Sequence, residues 1–276
     1  MASDDRLRSD RFPRSNGYHP DWVIKNGMGS NPLWIAEWLA SAMALQPGMR
    51  VLDLGCGKAV SSIFLAREFG VQVWATDLWI EATENSHRIR DAGLEDRVFP
   101  LHADARVLPY AGDFFDAILS LDSYFYYGTD ALYLNYLAHF VRPGGQIGIA
   151  GAGLTREVED GVPDHLKGFW TQDVWSLQSA AWWRRHWERT GLVDVEVAEA
   201  MPEGWQAWLD WQRTSHPENT PEIEAIEADR GQYVGYVRVV GRRRPDAKLE
   251  PYCWPDTMKS FPPDYEAKPL LRTASD

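Results

Sequence analysis

Cysteine is scarce in this chain, with only Cys56 and Cys253 among 276 residues. Two distant thiols support neither a disulfide framework nor a zinc site, and Cys56 is embedded in a glycine turn. Basic charge is also short, with 28 Lys and Arg against 40 Asp and Glu, giving a net charge of −12 and an isoelectric point near 5.0. Nucleic-acid binding relies on clustered cations, so no nucleic-acid partner is expected. The largest basic cluster, Arg242 to Arg244, reads as a solvated strand end. No run of about 18 apolar residues occurs, so neither a transmembrane helix nor a membrane partner is expected. The opening MASDDRLRSD is charged and has no apolar signal core, which makes the cytoplasm the expected location. No internal repeat is present.

What the chain does have is the run VLDLGCGKAV, Val51 to Val60. An apolar strand leads into a turn with Gly55 and Gly57, where the missing Cβ permits positive φ and close approach of a ligand. A helix then points its N-terminus at the same place. Strand, glycine turn and helix together open a nucleotide-type α/β fold. The dinucleotide pattern G-x-G-x-x-G is incomplete, because Val60 stands at its last glycine. Twenty residues beyond Gly57, Asp77 ends a second strand and is placed to accept from the hydroxyls of a ribose. A third run, RVFPLHADA, carries Asp104 at its end.

These residues resemble the class I S-adenosylmethionine-dependent methyltransferases of small molecules, from about Trp34 to Val240. VLDLGCGKA is similar to that family's first motif, with Ala59 at the last glycine; ATDL, HADA, FFDAILSLDS and RPGGQIGIA are similar to the segments that follow, in order. The resemblance implies a Rossmann-like, mostly parallel seven-stranded sheet with helices on both faces, and S-adenosyl-L-methionine as cofactor. It places Asp53, Gly55 and Gly57 around the methionine portion, Asp77 on the ribose, and Leu78 or Trp79 against the adenine. Asp104 and Ala105 would meet the adenine amino group and ring, with Ser120 also at the cofactor.

Organisation along the chain agrees with this. Asn31 as N-cap and Pro32 at the first helical position open a helix before strand one. Strands are expected at 50–54, 71–76, 97–101, 115–121 and 146–150, with helices at 59–69, 79–92 and 130–141 between them. A helix at 172–190 and strands at 193–199 and 233–240 would complete the sheet, the last antiparallel by resemblance. The domains expected are a flexible N-terminal segment or lid at 1–30, the catalytic domain at 31–241 with a helical insertion near 200–230, and an extended or disordered tail at 242–276. Trp205, Trp208 and Trp211, like Trp182, Trp183 and Trp187, recur at helical spacing; they read as core faces or as an aromatic lid able to bind a cation.

A sulfonium methyl is already activated, so the protein must chiefly align a nucleophile with it and, for a protonated acceptor, supply a base. LSLDSYFYYGTD follows strand four, at the sheet edge where ligand sites open. The catalytic candidates are therefore Asp122, Tyr124 and Tyr126, joined by His186 from a later helix; Asp122 serves equally well as a cap for loop backbone. Tyr18, Trp22, Tyr127 and His165 are the candidates for acceptor contact, with Gly27, Met28 and Gly29 as hinge of a closing segment. No metal-ligand spacing is present, so no metal is expected. The expected function is methyl transfer to a small-molecule acceptor, with amine nitrogen ahead of oxygen or carbon. An NAD-dependent oxidoreductase and a noncatalytic cofactor-binding module are the alternatives. The oligomeric state is left open, a homodimer included.

Overall fold

The computed structural model describes residues 5–250. Seven strands form one sheet: β1 (Arg50–Leu54), β2 (Gln72–Asp77), β3 (Val98–His102), β4 (Phe115–Leu121), β5 (Val141–Leu154), β6 (Val193–Ala200) and β7 (Val234–Arg243). Their order is β3-β2-β1-β4-β5-β7-β6. All neighbours from β3 to β5 pair in parallel, and β7 pairs antiparallel with both β5 and β6. The strand order turns at β1 and β4, so the carboxyl ends of these strands diverge and leave a crevice.

The described residues hold eight α-helices, α1 (Pro20–Asn26), α2 (Pro32–Ala40), α3 (Val60–Phe69), α4 (Ala82–Asp91), α5 (Tyr133–Ala138), α6 (Ala180–Glu188), α7 (Gly204–Ser215) and α8 (Thr220–Asp229), of which α2 to α7 pack on strands of the sheet. A strand buried on both faces sends alternate side chains to opposite sides, and β4 does so. From Ala117 onward the alternation is regular, with Ala117, Leu119 and Leu121 in the core beneath α2 and α3 and Ile118 in the core beneath α5 and α6, which Phe115 also joins because a register shift separates it from Ala117. Capping fixes several helix starts. Asn31 accepts the amides of Leu33 and Trp34 with Pro32 at the first position, and Ser179 accepts that of Trp182.

Four elements differ from the sequence expectation, one of them the helix expected at 130–141, which spans Tyr133–Ala138. The strand expected at 146–150 runs from Val141 to Leu154; Val141 pairs with Phe115, and pairing resumes at Gln146 with Ala117, so the Pro-Gly-Gly turn is an irregularity inside β5. The helix expected at 172–190 begins only at Ala180, where Ser179 caps it. The helix expected at 79–92 begins at Ala82, because Asp77 takes the amides of Trp79 and Ile80 and holds that stretch as a turn. The insertion before β7 forms α7 and α8.

The N-terminal segment lies against the domain. Glu37 on α2 accepts the backbone amides of Arg14 at 3.0 Å and Ser15 at 2.9 Å. Trp211 on α7 donates its indole N–H to Gly29 O at 2.7 Å and packs on Gly27, where a Cβ would stand 2.8 Å from the ring. Residues 251–276, most of the expected tail, lie outside the described residues, and Arg242 and Arg243 belong to β7.

Candidate functional site

A cavity of about 360 Å³ opens at the carboxyl ends of β1, β2 and β4, a size typical of small-molecule sites. Its floor is the glycine turn. Gly55 has φ +75° and Gly57 has φ +53°, and a Cβ on Gly55 would stand 2.0 Å from Ser123 Oγ. Ala59, at the third glycine position, also takes the left-handed conformation with φ +59° just before α3. An alanine thus performs the turn there at a strain of about 1–2 kcal/mol.

Asp77 braces this turn from β2. Its Oδ2 accepts Gly57 N at 2.8 Å, and its Oδ1 accepts Trp79 N at 2.8 Å and Ile80 N at 2.9 Å. A carboxylate has about four acceptor positions, so Oδ2 retains one for a ligand hydroxyl. Leu78 and Trp79 are exposed beside it, and Trp79 faces Tyr126 with ring centroids 5.9 Å apart. Asp104 and Ala105 complete that end. The Arg106 guanidinium holds the Asp104 carboxyl below its ordinary range, at 2.6 Å from Nη2 to Oδ2. A ligand amino group would share this acid with Arg106. On the opposite side, Asn26, Met28, Gly29 and Ser30 of the N-terminal segment form the wall.

A second cavity of about 470 Å³ adjoins the first, and Gly29, Ser30, Asp122 and Tyr126 belong to both walls. Phe125, Phe169, Asp173, Trp208, Gln212 and Glu222 line its remainder. Asp122 has φ +51°, which an aspartate tolerates better than most residues. Its Oδ2 accepts Ser30 N at 2.6 Å and its Oδ1 accepts Ala152 N at 2.8 Å. The side chain therefore clamps backbone at the junction of the cavities. Burial, followed by the Asp122 and Asp173 charges, raises the Tyr126 hydroxyl above its ordinary pKa.

Gly55, Gly57, Asp77, Leu78, Trp79, Asp104 and Ala105 all line the first cavity, as does Tyr127, which the sequence reading placed at the acceptor instead. Tyr127 is pushed up to about 12 by burial, with its hydroxyl 3.0 Å from Ser123 Oγ and 3.2 Å from Ser120 Oγ. Several expectations are corrected. Asp53 is fully buried behind the turn, where its Oδ2 accepts the hydroxyls of Ser61 and Ser62 at 2.6 Å each and ties β1 to the first turn of α3. Ser120 is buried and donates to Leu54 O at 2.8 Å. Tyr124 is buried among Tyr127, Tyr133, Trp183 and Trp187 and reaches neither cavity. His186 is buried, stacks on Trp182 and lies 3.2 Å from Gly128 O. Tyr18 and Trp22 stack on each other outside both walls, and Tyr18 donates to Glu68 at 3.2 Å. His165 pairs with the buried Asp229 at 2.9 Å, which leaves it no part in the second cavity. Among the described residues no cluster of His, Cys, Asp or Glu is arranged to hold a metal, and no helix is long and apolar enough to cross a membrane.

Sequence reasoning missed Met28 and Ser30 as wall residues, and it missed Gln212 and Glu222 entirely. Trp208 combines both readings of its stripe, being buried against Tyr236 while lining the second cavity.

Residues 51–145 match the profile of a methyltransferase domain family. The chain is similar to "Methyltransferase GfsG" of Streptomyces halstedii, 32% identical over 156 residues that cover 56% of each protein. It is also similar to the demethylmenaquinone methyltransferase of Mycolicibacterium paratuberculosis, 35% identical over 151 residues, which cover 51% of this chain and 61% of that protein. The chain thus spans about half the length of the curated relatives it matches. In fold it is similar to the geranyl diphosphate C-methyltransferase of Streptomyces coelicolor A3(2), solved with Mg2+, geranyl diphosphate and S-adenosyl-L-homocysteine. That likeness has a TM-score of 0.61 at 19% identity and covers 75% of this chain and 77% of that one. Residues 51–145 thus carry a methyltransferase domain, and the strand order and glycine turn are similar to those of the class I S-adenosylmethionine-dependent methyltransferase fold.

Proposed function

We propose that the protein transfers the methyl group of S-adenosyl-L-methionine to a small-molecule acceptor, and that the acceptor atom is an amine nitrogen. The observation that carries the reading is the pair of adjoining cavities: one is built on the glycine turn and Asp77, the other on acids and aromatic rings, and they share Asp122 and Tyr126. The donor set of the first cavity fits the cofactor. Gly55 and Gly57 keep the floor free of side chains, Oδ2 of Asp77 retains an acceptor position toward a ribose, and Trp79 offers an exposed aromatic face.

When bound, the cofactor supplies a methyl group already activated by its sulfonium. The protein's own residues then have two tasks. Asp122 fixes Ser30 and hence the wall formed by Met28 and Gly29, which shields the junction of the cavities from water. The walls of the second cavity hold the acceptor in line, and alignment of this kind accounts for much of the rate when no bond activation is required. Nitrogen is favoured because, among the described residues, no lysine, arginine or histidine lines the second cavity, whereas Asp122, Asp173 and Glu222 do.

The test has two stages. Calorimetry with S-adenosyl-L-methionine is expected to show one site that Asp77→Ala abolishes; absence of binding to the wild type sinks the reading. Pools of amines, phenols, thiols and carboxylates are then screened for S-adenosyl-L-homocysteine release. Turnover confined to phenols or thiols removes the nitrogen assignment and keeps methyl transfer.

A further inference from the structure

Gln212 on α7 is buried, and its side-chain carbonyl oxygen accepts no hydrogen bond. It lines the second cavity together with Glu222 on α8. Glu222 Oε1 accepts the indole N–H of Trp208 at 2.7 Å, and Oε2 accepts Asn219 Nδ2 at 2.6 Å. Asn219 is the N-cap position of α8 and Glu222 stands three residues beyond it, but no side chain caps the helix backbone there, so the Asn219–Glu222 contact joins two side chains only. Here burial, reinforced by the charge of Asp122, raises the Glu222 carboxyl above its ordinary pKa. Phe169 and Trp208 meet edge to face with centroids 5.8 Å apart, and Asp173 lies in the same lining. A half-buried carboxylate, a carbonyl oxygen without a donor and aromatic faces each attract a cation, and among the described residues no basic side chain of this wall supplies one.

We propose, resting on the methyl-transfer reading above, that Glu222 is the charge-selecting residue of the acceptor site: with Gln212 it binds the ammonium form of an amine acceptor inside the second cavity. The ammonium N–H groups donate to Gln212 Oε1 and to the lone pairs of Glu222 that Trp208 and Asn219 leave open, and one of these protons passes to the Glu222 carboxylate to free the nitrogen lone pair before methyl transfer. Trp208 and Phe169 supply the apolar wall for the attached carbon skeleton. The site selects by charge, since an alcohol of the same shape brings a single donor and no charge to a partly desolvated carboxylate.

The test compares 2-phenylethylamine with 2-phenylethanol, which match in shape and differ in charge, by calorimetry in the presence of saturating S-adenosyl-L-homocysteine. Wild-type protein is expected to bind the amine about ten-fold more tightly than the alcohol. Glu222→Gln is expected to reduce that preference to about two-fold or less while its affinity for S-adenosyl-L-homocysteine is unchanged. Gln212→Leu, which leaves the Glu222 contacts with Trp208 and Asn219 intact, reads the same preference and must lower it about three-fold. Wild type that binds the two compounds equally, or does not bind the amine, overturns the proposal. So does a preference that survives in both variants. Failure of the wild type to bind S-adenosyl-L-homocysteine overturns the methyl-transfer reading instead, so the two failures are distinct.

Discussion

Asp122 Oδ2 accepts the backbone amide of Ser30 at 2.6 Å and so ties the N-terminal segment to the end of β4, 92 positions away in sequence. The same carboxylate accepts Ala152 N from the far end of β5 through Oδ1. Removal of the side chain leaves two amides without an acceptor. Asp122→Ala is expected to cost about 2–4 kcal/mol of stability, and Asp122→Asn, which keeps one acceptor oxygen, about half of that. Urea unfolding measures both. S-adenosyl-L-methionine affinity should fall in parallel, because the segment that Ser30 anchors contributes Met28 and Gly29 to the cavity wall. An Asp122→Asn protein with unaltered stability would show that the carboxylate does not act as a clamp.

Gly55 gives a sharper test of the cofactor cavity. Alanine there meets two separate obstacles, a φ of +75° and a Cβ placed 2.0 Å from Ser123 Oγ and 2.4 Å from Ser123 Cβ. Ser123→Gly removes the second obstacle and leaves the first, which costs about 1–2 kcal/mol. The double variant should therefore bind S-adenosyl-L-methionine more tightly than Gly55→Ala alone and about ten-fold more weakly than wild type. Ser123→Gly by itself controls for the lost contact to Tyr127. Additive effects of the two substitutions would refute the close approach.

The first cavity was legible in the sequence because its parts are local: a glycine turn joins one strand to one helix, and Asp77 and Asp104 each end a strand. The second was not. Gln212 and Glu222 sit on helices with ordinary amphipathic patterns, and only the path of the insertion back over β7 brings them beside Asp122. The same long-range packing misled the reading of Tyr124 and His186. Tyr124 stands beside the expected site in sequence and His186 on a later helix, yet the aromatic core under α6 draws both inward. Asp53 illustrates a different limit, since a motif position reports that an acid is present and not whether it faces ligand or helix. Its two serine partners, eight and nine residues on, were the available signal.

His165 and Asp229 separate packing from acceptor binding. Asp229 is fully buried; its Oδ1 meets His165 Nε2 at 2.9 Å, and its Oδ2 accepts Tyr233 N and Val234 N. Asp229→Ala strands two backbone amides and is expected to cost about 2–4 kcal/mol, whereas His165→Ala gives up one contact and costs about 1–2 kcal/mol. His165 lines neither cavity, so His165→Ala should leave the order of preference among acceptors unchanged in the S-adenosyl-L-homocysteine release assay. A reordered preference would return His165 to the acceptor site.

Asp53 makes stability depend on pH in a direction opposite to that of a surface acid in an ion pair. Burial pushes its carboxyl from 3.8 up to about 6, against the pull of the Ser61 and Ser62 hydroxyls, and its Oδ1 has no hydrogen-bond partner. Below pH 3.8 the folded and unfolded chains both hold the proton, and Asp53 contributes no pH dependence. Between 3.8 and about 6 the folded chain keeps a proton that the unfolded chain releases, so stability falls as pH rises, and the loss persists above that window. The gap corresponds to about 3 kcal/mol for this fully buried group. Asp53→Asn cannot titrate, and any cost of its amide is the same at every pH. Its unfolding free energy relative to wild type is therefore expected to rise by about 2.4 kcal/mol between pH 4 and pH 7 in urea titrations. Parallel stability curves for the two proteins would mean that Asp53 is ionised in the folded state throughout, with a donor satisfying Oδ1.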